Sequence, residues 1–465
     1  MKQIQIISNS DKIMKNHQLI LLTTVLFITL FYGETMGLNF GILGIAYALI
    51  TLFKTPEGNR TRTFLILFVT TVLSSIAFGW YGDFVSFLAV FTSAFLLAFK
   101  SKNRDLKSIF VIPVFVVNFI TFPYRFFKFD EWLPKRNTSG TLQKLISVIL
   151  IPAFFIIIFF AVYSAGSEHF SKLFIDFHFE FNFWEFFVLG CLGFFIAFNY
   201  WNFKIDHFVF GWNHDLKNDF LNEDKIQKPT YSFLDLDSER KSGVVSLLAL
   251  NILLLIFIVT FNYEQFIEIP KTPNQLSTET HDRVNAVIIS IVMAIGVIMF
   301  YFKGSFNFDK NAKSLKFLAK TWMVLNAVLV ISAFAKNSEY IISYGLTYKR
   351  LGVYAFLILS IIGLILTFLK IQKEKTNAFL FNHMVWYFYG TILVCSFINW
   401  GSLATSYNIK NSKGNFEYLR SLNFNDELLY QKFPNEMNMT TDFENLRREQ
   451  DKPFLSKIIY YQTLK

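Results

Sequence analysis

Apolar runs of about 15 to 21 residues, separated by short polar stretches, repeat along the whole chain, each near the length of roughly 20 that crosses a bilayer as a helix. They fall at 19–33, 37–53, 63–81, 84–99, 145–164, 183–202, 243–262, 284–302, 320–335, 351–369 and 379–399. The pattern predicts an all-α, polytopic transmembrane helix bundle of eleven spans. The first run follows Lys2, Lys12 and Lys15 and has no small-residue cleavage site after it. It therefore reads as a membrane anchor and not a signal peptide.

A twelfth apolar stretch, 108–127, breaks the pattern. It carries Pro113, Asn118 and Pro123, and basic residues flank it on both sides: Lys100, Lys102, Arg104 and Lys107 before, Lys128, Lys135, Arg136 and Lys144 after. Cytoplasmic loops collect Lys and Arg, so a crossing here would put one flank on the wrong side. If the stretch is re-entrant or interfacial and the N-terminus is inside, most of the 44 Lys and Arg fall on the inner side. The outer loops before residue 400 then hold only Lys172, Lys271, Arg283, Lys336, Lys349 and Arg350. The expectation is a protein of a bacterial inner (cytoplasmic) membrane with a cytoplasmic N-terminus and a C-terminal tail outside.

Composition agrees with the pattern. The chain is 53% hydrophobic and 17% charged, against about 25% charged in soluble domains. The 59 phenylalanines, beside abundant Ile, Asn and Lys, fit an AT-rich coding bias and lipid-facing filler. Cys191 and Cys395 both fall in expected spans, with no CxxC or Cys/His spacing. Neither a disulfide framework nor a metal site is expected, and no cofactor motif is present: no Walker sequence, GxSxG, HExxH or GxGxxG opening a helix.

Two hydrophilic units interrupt the spans. In 203–242 acidic residues outnumber basic ones, so the net charge of +10 reads as membrane topology and affinity for membrane lipids, not for nucleic acid. The last 65 residues form a small helical appendage, with "NFNDELLYQKF" and "TTDFENLRREQ" as its helices. The expected division is 1–127 for the N-terminal spans, 128–400 for the main bundle with loop 203–242, and 401–465 for the tail.

Four residues are the candidate substrate-binding set. Lys349 and Arg350 stand together at the mouth of the 351–369 span, on the side where positive charge is scarce. They either pair with acidic outer loops, hold an anionic substrate or headgroup, or mark a helix end by snorkelling. His281 and Asp282 follow "LSTET" at the start of another span. A His/Asp pair suits acid–base chemistry or metal binding, and Thr280 or Asp282 capping a helix explains the same letters. Inside the spans ionisable residues are sparse. Glu185 reads as an interfacial carboxylate in a first helical turn, Asn251 and Asn326 as interhelical hydrogen-bonding residues, and His207 with His214 as loop residues.

Three stretches carry a family resemblance: Tyr344-Gly345-Leu346-Thr347 followed by Arg350; His281 before "SIVMAIGVIMFYFKG"; and Asn399 with Leu403-Ala404, Tyr407-Asn408, Tyr418-Leu419 and Leu422. Together they resemble bacterial polytopic membrane families of unknown function, the domain-of-unknown-function families 4173 and 4153. The resemblance is clearest over 240–430, departs from the family pattern at Trp400-Gly401, and implies no catalytic residue. Transport or lipid and anion handling at the cell envelope is the leading expectation. A non-catalytic envelope or signalling component that binds partners through the tail and loop 203–242 is the alternative, and an integral-membrane enzyme using His281 is the third.

Overall fold

A computed structural model describes residues 14–133, 148, 151–167, 170, 182–225, 228–230, 233–267, 273–436 and 439–464. Among them the regular elements are helical, apart from an isolated antiparallel bridge between Asp219 and Lys375. The first bundle holds α1 (Asn16–Phe31), α2 (Leu38–Lys54), α3 (Arg62–Tyr81) and α4 (Phe84–Lys102), then the short α5 (Val111–Ile120), α6 (Phe122–Phe127) and α7 (Phe129–Trp132). Next come α8 (Ile151–Gly166), α9 (Phe183–Trp201) and α10 (His207–Asp215). The second bundle holds α11 (Leu236–Phe266), α12 (Pro273–Tyr301), α13 (Lys313–Tyr344) and α14 (Tyr348–Gln372), followed by α15 (Asn377–Cys395). The tail folds into α16 (Trp400–Lys410), α17 (Phe416–Arg420), α18 (Asp426–Lys432), α19 (Met439–Gln450) and α20 (Ile459–Thr463).

Each expected span lies on one of these helices, residues 145–164 only from 151 onward because the earlier part falls outside the described residues. Among the described residues eight helices are long and apolar enough to cross a membrane; α1 and α2, with 16 and 17 residues, are shorter. The chain is a polytopic integral membrane protein. Short polar side chains start the helices as their chemistry dictates. Thr61, Asp83, Asn182 and Asp235 each accept a hydrogen bond from the backbone N–H three residues on.

The second bundle departs from the pattern in length. α11 has 31 residues and α13 has 32, about 46–48 Å at 1.5 Å per residue, so both outrun a hydrocarbon core of about 30 Å. Hydropathy locates only the part in lipid; the polar ends stay helical because ion pairs and tertiary contacts hold them. Arg240 pairs with Asp237 and Asp309, both at 3.1 Å. α12 likewise begins at Pro273, a favoured first-turn residue. Thr280 and Asp282 are therefore interior helix positions, and the reading of them as caps does not hold.

Two cores divide the molecule. One joins α1–α5 with Ala197, Phe198, Tyr200 and Trp201 of α9, so it draws on both sides of residue 127, and Tyr389 of α15 belongs to it as well. The other is built from α11–α14. Interhelical hydrogen bonds place the helix ends on two opposite faces. The N face, where α1 begins, also carries the ends of α2, α4 and α9: Lys54 Nζ bonds Asn16 Oδ1 and Lys102 Nζ bonds the Phe203 carbonyl. Loop 203–242 is pinned there. Asn213 Oδ1 accepts from Lys107 N–H at 2.9 Å, Asn218 O accepts from Thr376 N–H at 3.1 Å, and Ser305 Oγ donates to Lys228 O at 2.6 Å.

Segment 108–132 starts and finishes at the N face. Asn118 Nδ2 donates to Lys204 O and its Oδ1 accepts from Lys204 N–H, both at 2.8 Å. Arg125 donates to Asn118 O at 3.2 Å, to Asn199 Oδ1 at 3.3 Å and to Asn202 O. Its guanidinium lies 5.1 Å from the Phe198 ring. Glu131 pairs with Lys204, whose hydrogen bond holds the carboxyl below its usual range. Phe122 and Trp132 pack on Phe194 and Phe198. The partners outside the segment fall within the last turns of α9 or just after it, so the segment returns to the face where it began, with Lys107 and Lys128 on the same side.

Candidate functional site

The opposite face carries the tail, and the turn that joins α13 to α14 is its centre. α13 ends at Gly345, whose φ of +87° lies where a side chain is strained. Leu346 is then held from both sides by Asn408: its N–H donates to Asn408 Oδ1 at 2.6 Å and its C=O accepts from Nδ2 at 2.9 Å. Thr347 Oγ1 caps α14 by accepting from Arg350 N–H at 3.3 Å. The Arg350 guanidinium reaches back to the Gly345 carbonyl and stacks 3.9 Å from the Tyr340 ring centroid. Leu346, Ala404, Leu419, Leu422 and Leu429 close a small third core around the turn.

The resemblance-bearing residues of the turn and the tail converge here. Asn399 caps α16, accepting from Ser402 N–H at 2.9 Å, and its Nδ2 donates to Phe424 O at 3.0 Å. A side chain at position 401 would run into the Asn423 carbonyl. Gly401, the residue that departs from the family pattern, is thus the one this close approach requires.

Beside the turn lies a cavity of about 350 Å³, lined by Val284 and Ile288 of α12, Asn337 and Tyr340 of α13, and Lys349, Arg350, Gly352, Val353 and Phe356 of α14. That volume is at the lower end for small-molecule sites. The two cations on its wall differ. Arg350 is half-buried and engaged as described, and its own carbonyl accepts from Asn337 Nδ2 at 3.1 Å. Lys349 is exposed, and no ion pair to it occurs among the described residues. Lys336, next to Asn337 on α13, is buried and paired with Glu339 at 3.2 Å.

Lys349 and Arg350 therefore share one cavity. The backbone of His281 and Asp282 lies in α12, about one turn before Val284, and their side chains lie outside the described residues. Glu185 Oε1 accepts from Gly33 N–H at 2.8 Å and ties the α1–α2 loop to the first turn of α9. Asn251 bridges helices by donating to Leu318 O at 3.1 Å, whereas Asn326 bonds only its own helix, to Trp322 O at 2.8 Å. His214 contacts Lys217 at 3.0 Å on the surface. Among the described residues no three His, Cys, Asp or Glu side chains group as a metal site would need.

The sequence reading did not single out Asn337 or Tyr340, and it met Asn408 only as part of the family resemblance. An Asn near a span end reads as a cap or a loop residue, and a tyrosine there as an interfacial anchor. Only the pairing of Leu346 with Asn408 and of Arg350 with Asn337 and Tyr340 reveals their work.

Comparison with known proteins adds a family and no activity. A family model described as "Domain of unknown function (DUF4153)" matches residues 62–429, which extends the resemblance over most of the chain. No curated protein and no solved structure matches. The chain belongs to the DUF4153 family.

Proposed function

We propose that this DUF4153 member handles an anion or an anionic headgroup, as a transporter or lipid-handling protein of a bacterial inner membrane, and receives it at the tail face in the cavity between α12, α13 and α14. One observation carries this reading: Lys349 stands on the cavity wall with no ion pair among the described residues, while its neighbour Arg350 is held by a carbonyl and an aromatic ring. A cation kept at the rim of an apolar cavity attracts negative charge, at about 1 kcal/mol near a membrane surface. Val284 and Ile288 place α12 on the opposite wall, and we assign His281 and Asp282, on the preceding turn, to the entrance. The N face is cytoplasmic in this reading, because the basic ends around Lys54, Lys100, Lys102 and Lys107 gather there.

The experiment has two arms. In a Cys191→Ala, Cys395→Ala background, Ser343→Cys and Ser314→Cys lie on exposed positions at opposite ends of α13. A membrane-impermeant maleimide labels Ser343→Cys in intact cells and Ser314→Cys only after lysis. The reverse pattern turns the cavity toward the cytoplasm and removes the outer-face reading. In the second arm, Lys349→Gln lowers retention of anionic lipid or transport of an anion by the purified chain without moving its melting temperature; unchanged retention and transport refute the assignment of the cavity.

A further inference from the structure

A second, independent site lies in the first bundle, at the other face. A cavity of about 360 Å³ opens at the N face between the ends of α2, α4 and α9, lined among others by Lys54, Lys102, Asn59, Thr55 and Tyr200. Lys54 Nζ donates to Asn16 Oδ1 and lies 5.2 Å from the Trp201 ring; Lys102 Nζ donates to Phe203 O and lies 4.3 Å from the Phe203 ring. No carboxylate pairs with either lysine among the described residues. Each ammonium has three donors, so both keep hydrogen-bonding capacity to spare on the wall of one cavity, and among the described residues that line it there is no acid.

This polar cavity abuts a long apolar one. A cleft of about 470 Å³ runs between α1, α2, α4 and α9, walled by aromatic and aliphatic side chains such as Phe27, Phe91, Phe95, Leu192 and Phe195. Tyr200 lines both cavities, and its hydroxyl, 2.9 Å from Thr51 Oγ1, marks the polar boundary between them. Along α9 the cleft extends from Leu189 to Tyr200, about 16 Å at 1.5 Å per residue, or half the hydrocarbon thickness. Phe91 and Leu192 on its rim are exposed, so the cleft opens sideways toward lipid.

We infer that the first bundle holds one anionic phospholipid, with its phosphate between Lys54 and Lys102 and an acyl chain in the aromatic cleft. A neutral lipid leaves the two charges unmatched, and a soluble phosphate leaves the cleft unused. The inference does not depend on the Lys349 cavity, which belongs to the other bundle and the other face.

Native mass spectrometry of the full chain in detergent tests it, with phosphatidylglycerol and phosphatidylcholine of matched acyl chains as probes and inorganic phosphate as competitor. The wild type retains phosphatidylglycerol over phosphatidylcholine, and millimolar phosphate does not displace it. Lys54→Gln with Lys102→Gln weakens phosphatidylglycerol on the order of 10- to 30-fold, as expected for two near-surface charges. Leu192→Trp, which fills the cleft from an exposed rim position, weakens it without touching the lysines. Equal retention of the two lipids by the wild type makes the bound molecules ordinary annular lipid and overturns the proposal. Displacement by phosphate, or loss in the lysine variant with none in Leu192→Trp, makes the cavity a site for a soluble anion and overturns it too. If the lysine variant does not fold, the wild-type preference and Leu192→Trp still decide.

Discussion

Asn118 at the N face and Asn408 at the tail face do the same job with different consequences. Each turns its carboxamide on the backbone N–H and C=O of a residue far away in sequence, Lys204 for Asn118 and Leu346 for Asn408. Beside each, an arginine donates to a nearby carbonyl and lies over a ring: Arg125 on Asn202 O and Phe198, Arg350 on Gly345 O and Tyr340. At the N face the side chains of Asn118 and Arg125 are both buried, and they fix segment 108–132 to that face. At the tail face it leaves Lys349 free beside a cavity. At the tail face the charge left for a ligand is thus the lysine and not the arginine beside it, and a count of charges per loop does not separate the two.

The largest test of this equivalence is to remove each clamp. Asn408→Leu strands the buried backbone donor and acceptor of Leu346, at about 1–3 kcal/mol per group, and Asn118→Leu frees those of the exposed Lys204 at a smaller cost. Both lower the melting temperature in detergent, but only Asn408→Leu exposes the tail to limited proteolysis. If Asn118→Leu releases the tail as well, the two faces are not independent. The arginines come next. Arg350→Ala costs about 1–3 kcal/mol through the lost carbonyl bond and the lost ring contact, and Arg350→Lys restores little of it because the stacked planar group is gone. Lys349→Ala, one residue away, stays within about 0.5 kcal/mol of wild type in a thermal melt. Equal destabilisation by the Lys349 and Arg350 substitutions removes the distinction drawn between them. The smallest effect separates the helix-bridging Asn251 from Asn326. Asn251→Leu loses the bond to Leu318 O and costs about 1 kcal/mol, whereas Asn326→Leu, which loses only a bond within its own helix, costs less.

The membrane pattern was readable because it is a property of single residues summed over a window. Runs of about 20 apolar residues need no knowledge of partners, and neither does the charge asymmetry that argued against a crossing at 108–127, where the contacts of Asn118, Arg125 and Glu131 keep the segment at one face. What the letters hid depends on pairs. The helical ends of α11, α12 and α13 lie beyond the hydrophobic windows and persist through contacts such as Arg240–Asp309. The roles of Asn337 and Asn408 follow from partners 13 and 62 residues distant. Lys102 entered the sequence reading only as a basic residue flanking 108–127 and Lys54 only within the total of Lys and Arg, since nothing in the sequence says that they share a cavity with no acid on its wall. The candidate site was legible as a pair of letters, Lys349-Arg350, and illegible in its division of labour.

The strand of tail that closes the fold sets an order of events during synthesis. Thr35 N–H donates to Ser456 Oγ at 2.7 Å across 421 positions of sequence, and Leu38 N–H donates to Lys457 O at 3.0 Å. The α1–α2 loop is made early, yet its partner emerges roughly 20–80 s later at 5–20 residues per second. Through that interval the first hairpin waits in the bilayer with the turn at its tip unsealed. A stretch made 421 residues later is the latch that locks the first hairpin.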